Sequence, residues 1–163
     1  MLVNHPQKII QSYLDNRIRL IKIKKYSTMP LEEDWQSRLE TSDNGEIDVW
    51  LEGGGNIGAM CGTHSNGLIA FVIHARPHYS IKSDLQFYRS FGTLINFSRN
   101  GFQVIYRTEN RERAEMLFSN FYDLDYAVDS IRYTDQYILL PPSKVEGKFY
   151  WSLDEGMTPI KQI

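Results

Sequence analysis

Six consecutive apolar residues at 68–73 (Leu-Ile-Ala-Phe-Val-Ile) constrain the fold of this chain more than any other feature. A strand with one face in water alternates apolar and polar residues, whereas an unbroken apolar run of this length is typical of a strand covered on both faces. Covering both faces requires a sheet with further layers on either side. A sheet with segregated helices belongs to the α+β or the mixed α/β class, and we expect α+β, with a mixed or antiparallel sheet and flanking helices.

Helical periodicity and turn residues predict the elements around this strand. Helices are predicted after Asn4 and Pro6, after Pro30, and over residues 84–91 and 109–121. Strands are predicted over residues 18–24, 93–97, 102–106, 127–132, 136–140 and 148–151, with turns at 42–45 and 53–55. Asn100-Gly101 is a strong hairpin signal and joins two of these strands.

Length and charge limit the classes of protein that fit. The 163 residues are expected to form one domain, 1–163, since no repeat or composition break divides them. Lys and Arg number 18 and Asp and Glu 20, a net charge of −2. This argues against a protein that coats nucleic acid on its own, so any basic contact surface must be local or supplied by a partner. The aromatic fraction of 13% suits a small core or a protein interface.

The single cysteine, Cys61, excludes an internal disulfide framework and a cysteine-based zinc site. No apolar run approaches the ~20 residues that span a bilayer. The first residues lack the basic and then apolar order of a signal peptide. We therefore expect a soluble, cytoplasmic chain with no membrane partner.

Two local features that resemble ligand sites carry little information. Gly53-Gly54-Gly55 is not followed by the Gly-Lys-Ser/Thr of a phosphate loop. His64, His74 and His78 are close in sequence but have no carboxylate or thiol at metal-ligand spacing. No metal site is predicted.

The order of five stretches is more specific. They are Thr28-Met29-Pro30 with Trp35; residues 56–62; residues 67–74; residues 97–103; and residues 137–143 with Gly147, Tyr150 and Trp151. Together they resemble the N-terminal domain of primase–polymerases (Prim-Pol) in the archaeo-eukaryotic primase superfamily, over roughly residues 9–151. The resemblance implies an RRM-like primase fold.

The residues at the family's catalytic positions differ from the family pattern. The family carries an Asp-x-Asp pair at the end of the strand after Gly-Leu, and residues i and i+2 of a strand share a face. Val72 and His74 occupy these positions, Gln103 stands where the family has a histidine, and Thr28 where it has a lysine. Only Asp129 matches the third acid. Because two-metal transfer needs clustered carboxylates, the resemblance implies that the chain has no catalytic residues and is not itself an enzyme.

Within the superfamily, the chain resembles the group of small non-catalytic third subunits of archaeal primase. That resemblance implies a heterotrimer with the small catalytic and large primase subunits, which supports primer initiation in DNA replication. The chain would bind ATP, another nucleoside triphosphate or the primer 5′ end, would need no cofactor, and would meet primer–template DNA only indirectly.

A triphosphate requires cations and oriented N–H donors. The residues predicted to bind it are Thr63, Ser65, His74, Arg76, Ser98, Arg99, Asn100 and Lys144. Arg99 lies in the turn that matches the family's nucleotide motif, and histidine in place of aspartate makes the strand end less negative. The alternatives are a hairpin tip with a solvated Arg99, drift at His74 after loss of catalysis, and a solvated Lys144.

Two other functions stay open at this point. One is an active but divergent primase–polymerase of a plasmid or virus that uses Asp129. The other is a structural adaptor that does not bind nucleotides.

Overall fold

The computed structural model describes residues 6–37, 44–74, 83–98, 100–119 and 127–163. Its class is α+β, with largely antiparallel sheets and few helices, which confirms the predicted class. The helices are α1 (Pro6–Asp15), α2 (Asn44–Glu52), α3 (Leu85–Arg89) and α4 (Arg111–Ser119). The first strands are β1 (Leu20–Ile23), β2 (Asn56–Met60), β3 (Leu68–His74), β4 (Ile95–Phe97) and β5 (Gly101–Arg107).

The remaining strands form the second half of the fold. They are β6 (Ala127–Arg132), β7 (Tyr137–Leu140), β8 (Lys144–Val145), β9 (Lys148–Phe149), β10 (Trp151–Ser152) and β11 (Lys161–Gln162). A three-stranded sheet has the order β1-β2-β7, and a larger sheet has the order β10-β4-β5-β3-β6. Strand β11 pairs with β5 in parallel, and β8 pairs with β9.

Strand β3 is covered on both faces, as its apolar run predicts. Leu68 and Ala70 belong to a core between the two sheets that also contains Ile57 and Ile138. The alternate residues of β3 pack on the opposite face with Tyr88 of α3 and with Ala114 and Phe118 of α4. These alternate residues are Ile69, Phe71 and Ile73. The larger sheet therefore lies between the three-stranded sheet and the helices α3 and α4.

Local signals explain where the helices begin. The Asp84 carboxylate accepts a hydrogen bond from the Gln86 N–H (2.9 Å) and caps α3. The Asn110 side chain accepts one from the Arg113 N–H (3.2 Å) at the start of α4. The predicted helix at 84–91 is thus present but shorter, and α4 covers most of the helix predicted at 109–121.

Three local predictions differ from the structure. Residues 31–37 form turns, so the helix predicted after Pro30 is absent from the described part of that segment. Helix α2 begins at Asn44, within the predicted turn at 42–45, and its fully buried Ile47 anchors it to the core. The single strand predicted at 148–151 is interrupted at Tyr150 into β9 and β10.

The part of the chain that the structure describes contains no helix that combines the length and apolarity needed to cross a membrane. The assignment of the whole chain to one domain stays a prediction.

Candidate functional site

A row of mostly polar residues crosses five strands of the larger sheet. Val72 of β3 lies opposite Gln103 of β5 on one side and Ser130 of β6 on the other. Asn96 of β4 lies opposite Gln103, and Ser152 of β10 lies opposite Asn96. Directly opposite residues of antiparallel strands point to the same face of a sheet. We call Ser152, Asn96, Gln103, Val72 and Ser130 the polar row.

Three side chains of the polar row have buried polar atoms without a hydrogen-bond partner. These atoms are Asn96 Nδ2, Gln103 Oε1 and Ser130 Oγ. Asn96 is fully buried and Gln103 is 6% exposed. The Ser152 hydroxyl donates to Asn96 Oδ1 (2.6 Å). This bond orients the Asn96 amide and leaves its Nδ2 without an acceptor. Because buried polar groups are normally paired, this row has both donor and acceptor capacity for a bound ligand or water.

His74 ends β3 two residues after Val72 and therefore lies on the same face. It is exposed and lies opposite Gly101 of β5 and Ala127 of β6. A Cβ at position 101 would overlap the carbonyl oxygen of Ile73, so only glycine fits there. The residue of β5 that lies opposite His74 therefore has no side chain.

The β4–β5 hairpin brings two more predicted nucleotide-binding residues to the end of the sheet that carries His74. Strand β4 ends at Phe97, and β5 begins at Gly101 opposite His74. Ser98 is half-buried, and its N–H donates to the Gly101 carbonyl oxygen (3.0 Å). Asn100 is exposed. Arg76 and Arg99, the two predicted cations nearest in sequence, lie outside the described residues.

The retained acid lies beside the polar row in sequence and in register. Val72 pairs with Ser130 and Ile73 with Val128, so Asp129 is the extra residue of a β-bulge in β6. A bulge residue is left out of the strand pairing and bends its strand locally. The Asp129 side chain is not among the described ones.

The structure does not bring Thr63 and Ser65 to this end of the sheet. They form a 3₁₀ helix just before Leu68, where β3 begins. His74 ends β3 six residues later, so the two ends of the strand are about 20 Å apart at 3.3 Å per residue. Ser65 is fully buried, and its hydroxyl accepts the Arg19 N–H (2.8 Å). Its carbonyl oxygen accepts a hydrogen bond from Arg107 Nη1 (2.8 Å). Ser65 therefore links parts of the fold at the end of β3 opposite to His74, and nucleotide binding by Ser65 stays a prediction.

Lys144 is exposed, and its contacts are with the three-stranded sheet and with β9. Its N–H donates to Asn56 Oδ1 (2.8 Å), and Asn56 Nδ2 donates to the Lys144 carbonyl oxygen (3.0 Å). The ammonium lies 5.0 Å from the centre of the Phe149 ring. None of these contacts involves the polar row.

A cavity of about 1030 Å³ opens beside the Ser152 end of the polar row. Helix α1, the cis Pro141-Pro142 peptide and residues 149–152 and 154–160 line it. Tyr13 lies in its wall and donates its hydroxyl hydrogen to the Pro141 carbonyl oxygen (2.8 Å). Burial raises the pKa of Tyr13 far above its usual range, so this hydroxyl stays protonated. The cavity is thus a concave space with an uncharged hydroxyl in its wall.

Sequence reasoning missed Asn96 and Ser152. Asn96 interrupts the apolar segment Leu94-Ile95-Asn96-Phe97. A polar residue within an otherwise apolar strand was the signal that could have indicated it. Ser152 had no comparable signal because its role depends on the pairing of β10 with β4.

The chemistry of the polar row is that of neutral hydrogen-bonding groups. Within the described ranges, no three His, Cys, Asp or Glu side chains gather in a way that could hold a metal ion. Comparison of the sequence with protein-family models gave no match, and comparison with curated proteins gave none either.

Proposed function

We propose that this protein is a non-catalytic subunit of a DNA primase complex, with a primase-type fold whose catalytic positions have been replaced. The observation that carries the proposal is the polar row. Val72 is flanked across the sheet by Gln103 and Ser130, all of them uncharged. The primase resemblance calls for a metal-binding acid at position 72 and for a histidine at position 103, and Ser130 is next to the retained Asp129.

Two-metal nucleotidyl transfer needs several carboxylates that hold cations against the attacking and leaving oxygens. Valine has no ligand atom, and Mg²⁺ prefers oxygen donors to the imidazole of His74. Amide and hydroxyl groups such as those of Gln103 and Ser130 are weak substitutes for carboxylates. The row is better suited to holding a ligand than to activating one.

The ligand we propose is a nucleoside triphosphate or the triphosphate end of a primer. His74, Ser98 and Asn100 share one end of the larger sheet, and Arg76 and Arg99 are adjacent to them in sequence. Histidine, arginine and small polar residues provide the donors that an anion needs. The unpaired Asn96 Nδ2 and Gln103 Oε1 offer one donor and one acceptor to a neutral part of the same ligand.

The partners in this proposal are the small catalytic and large subunits of primase. A tagged chain should therefore retain both subunits when it is purified from a lysate of its source. Retention of neither subunit would exclude the proposed complex.

Nucleotide binding is tested separately by calorimetric titration with ATP. Wild type should bind, and His74→Ala should weaken binding by about tenfold, the usual effect of losing one charged hydrogen bond. Lys161→Ala is the control, because Lys161 is exposed on β11 and lies opposite Tyr106, toward the end of β5 away from Gly101. Absence of binding at millimolar ATP, with the partners still retained, would favour the structural adaptor.

The divergent active enzyme is the second candidate, and the position of Asp129 at a bulge beside Ser130 favours it. It requires template-dependent incorporation by the pure chain with Mg²⁺ or Mn²⁺, lost in Asp129→Ala. The non-catalytic proposal requires that neither the wild-type chain nor the Asp129→Ala variant incorporates nucleotides.

A further inference from the structure

The turn between β1 and Pro30 presents Tyr26 in an unusual way. Tyr26 is 87% exposed and has a φ of 58°, in the left-handed region that bulky residues rarely adopt. Such a conformation costs free energy, and an exposed ring recovers little of that cost through burial. Burial therefore does not explain why a tyrosine stands at this position.

The backbone around Tyr26 is firmly held. The Lys24 N–H donates to the Met29 carbonyl oxygen (2.8 Å), and the Ser27 N–H donates to the Lys24 carbonyl oxygen (3.2 Å). The Tyr137 hydroxyl donates to the Thr28 carbonyl oxygen (2.7 Å). The turn is thus fixed to the three-stranded sheet, so the backbone that carries the exposed ring is held in a defined place.

Lysines and further aromatic rings lie beside this turn. Lys24 and Lys25 are both exposed, and the Lys25 ammonium lies 6.0 Å from the centre of the Trp50 ring. Trp50 is fixed in turn by a hydrogen bond from its Nε1 to the Asn56 carbonyl oxygen (2.7 Å). Lys25 and Trp50 also line a cavity of about 500 Å³.

The side chain of Asn56 joins the turn to the β8–β9 hairpin. Its Nδ2 donates both to the Ser27 carbonyl oxygen (3.3 Å) and to the Lys144 carbonyl oxygen (3.0 Å). Phe149, which is 52% exposed, lies beneath the ammonium of Lys144. The turn and the β8–β9 hairpin are therefore neighbours, and together they carry exposed lysines and exposed rings.

We propose that this basic–aromatic surface (Lys24, Lys25, Tyr26, Lys144 and Phe149) binds single-stranded nucleic acid directly. Rings that are exposed and fixed stack on bases of any sequence, and lysines between them neutralise backbone phosphates. The inference goes beyond the proposed function, in which template is met only through the partner subunits, and it does not depend on the triphosphate site.

The surface is short. Lys22, next along β1, is paired with Glu46, and the acidic residues Glu32, Glu33 and Asp34 follow the turn in sequence. Like charges repel further phosphates, so the surface accommodates only a few nucleotides. The net charge of −2 fits this arrangement, because a local cluster needs no overall positive charge.

The test is fluorescence anisotropy of the full chain with labelled 15-nucleotide oligo(dT) at low salt. Tyr26→Asn is the decisive variant, because asparagine tolerates a positive φ but has no ring. It should keep or raise the melting temperature while weakening DNA binding by about 5- to 150-fold, the loss expected for one base–aromatic stack. Tyr26→Phe should bind like wild type.

The charge contribution is measured from the salt dependence of the same binding. Replacing Lys24 and Lys25 together by alanine should lower the slope of log K against log salt by roughly 1.4, at about 0.7 for each phosphate contact on a single strand. Lys161→Ala and Met157→Ala are the controls, since both residues are exposed and belong to other parts of the fold. Neither should change the affinity.

Three results would overturn the proposal. The first is no binding of the single strand by wild type, and the second is equal binding by Tyr26→Asn. The third is loss of the primase subunits, but not of DNA affinity, in Tyr26→Asn, which would make the surface a protein interface. A chain that fails to bind ATP but behaves as expected here would refute the triphosphate site and leave this surface in place.

Discussion

Val72 and Gln103 lie directly opposite each other on β3 and β5, on the face of the larger sheet that is turned toward the three-stranded sheet. Gln103 is nearly buried, and its Oε1 has no hydrogen-bond partner. A buried acceptor without a partner costs stability, and a side chain held in that state is suited to binding rather than to folding. The first prediction follows from this pair.

Gln103→Leu should leave the free energy of unfolding unchanged or raise it, because leucine fills a similar volume and has no acceptor to desolvate. The same variant should bind ATP more weakly than wild type. Asn96→Leu is the comparison, since it removes the acceptor of the Ser152 hydroxyl and should cost about 0.5–1.5 kcal/mol. Urea unfolding and ATP titration measure the two effects. A clear loss of stability in Gln103→Leu with unchanged ATP affinity would assign Gln103 to the core.

Ser143→Ala should destabilise the fold by about 1–3 kcal/mol. The buried Ser143 hydroxyl donates to the Ile57 carbonyl oxygen (2.9 Å) and accepts the Ile57 N–H (3.0 Å), so alanine leaves both backbone groups unpaired. Denaturant midpoints report the loss, with Ser37→Ala in an exposed turn as the control. Equal midpoints for the two variants would contradict the role of this hydroxyl.

Gly101→Ala should cost about 1–3 kcal/mol, the usual range for overpacking a tight site. The added methyl group would overlap the Ile73 carbonyl oxygen and push β5 away from β3 next to His74. Gly53→Ala is the matched control, because a Cβ there meets its nearest atom at 3.5 Å. Melting temperatures that fall equally in both variants would show that β3 and β5 are not this close.

Cys61 should resist alkylation in the folded protein. It is fully buried, and burial raises the pKa of its thiol to about 12. An unfolded cysteine titrates near 8.5, so Cys61 contributes stability below about pH 8.5 that is lost as the pH rises toward 12. Iodoacetamide at pH 8 should label the chain only in denaturant, and labelling at the same rate without denaturant would refute the buried position.

The sequence predicts this fold well where one local pattern determines the structure of a segment. The apolar run of β3 requires cover on both faces, and Asn100-Gly101 forms the hairpin between β4 and β5. It predicts poorly where tertiary packing decides. Asn44-Gly45 has turn chemistry, yet α2 begins there because Ile47 packs into the core between the sheets.

The candidate site was only partly predictable for a related reason. Val72, His74 and Gln103 could be singled out because the sequence around them resembles a known motif. Asn96 and Ser152 join them through the register of β4 and β10, and register between distant strands leaves little local trace. Ser65 was grouped with His74 although it lies at the other end of β3, because proximity in sequence to a strand does not show which of its ends a loop accompanies.

The most direct test of the central claim is primer synthesis on a single-stranded template with purified primase small and large subunits, with and without this chain. The account predicts that the chain alone makes no primer with Mg²⁺ or Mn²⁺ and that its addition increases primer synthesis by the other two subunits. Template-dependent incorporation by the chain alone, or no effect on the two subunits, would contradict it.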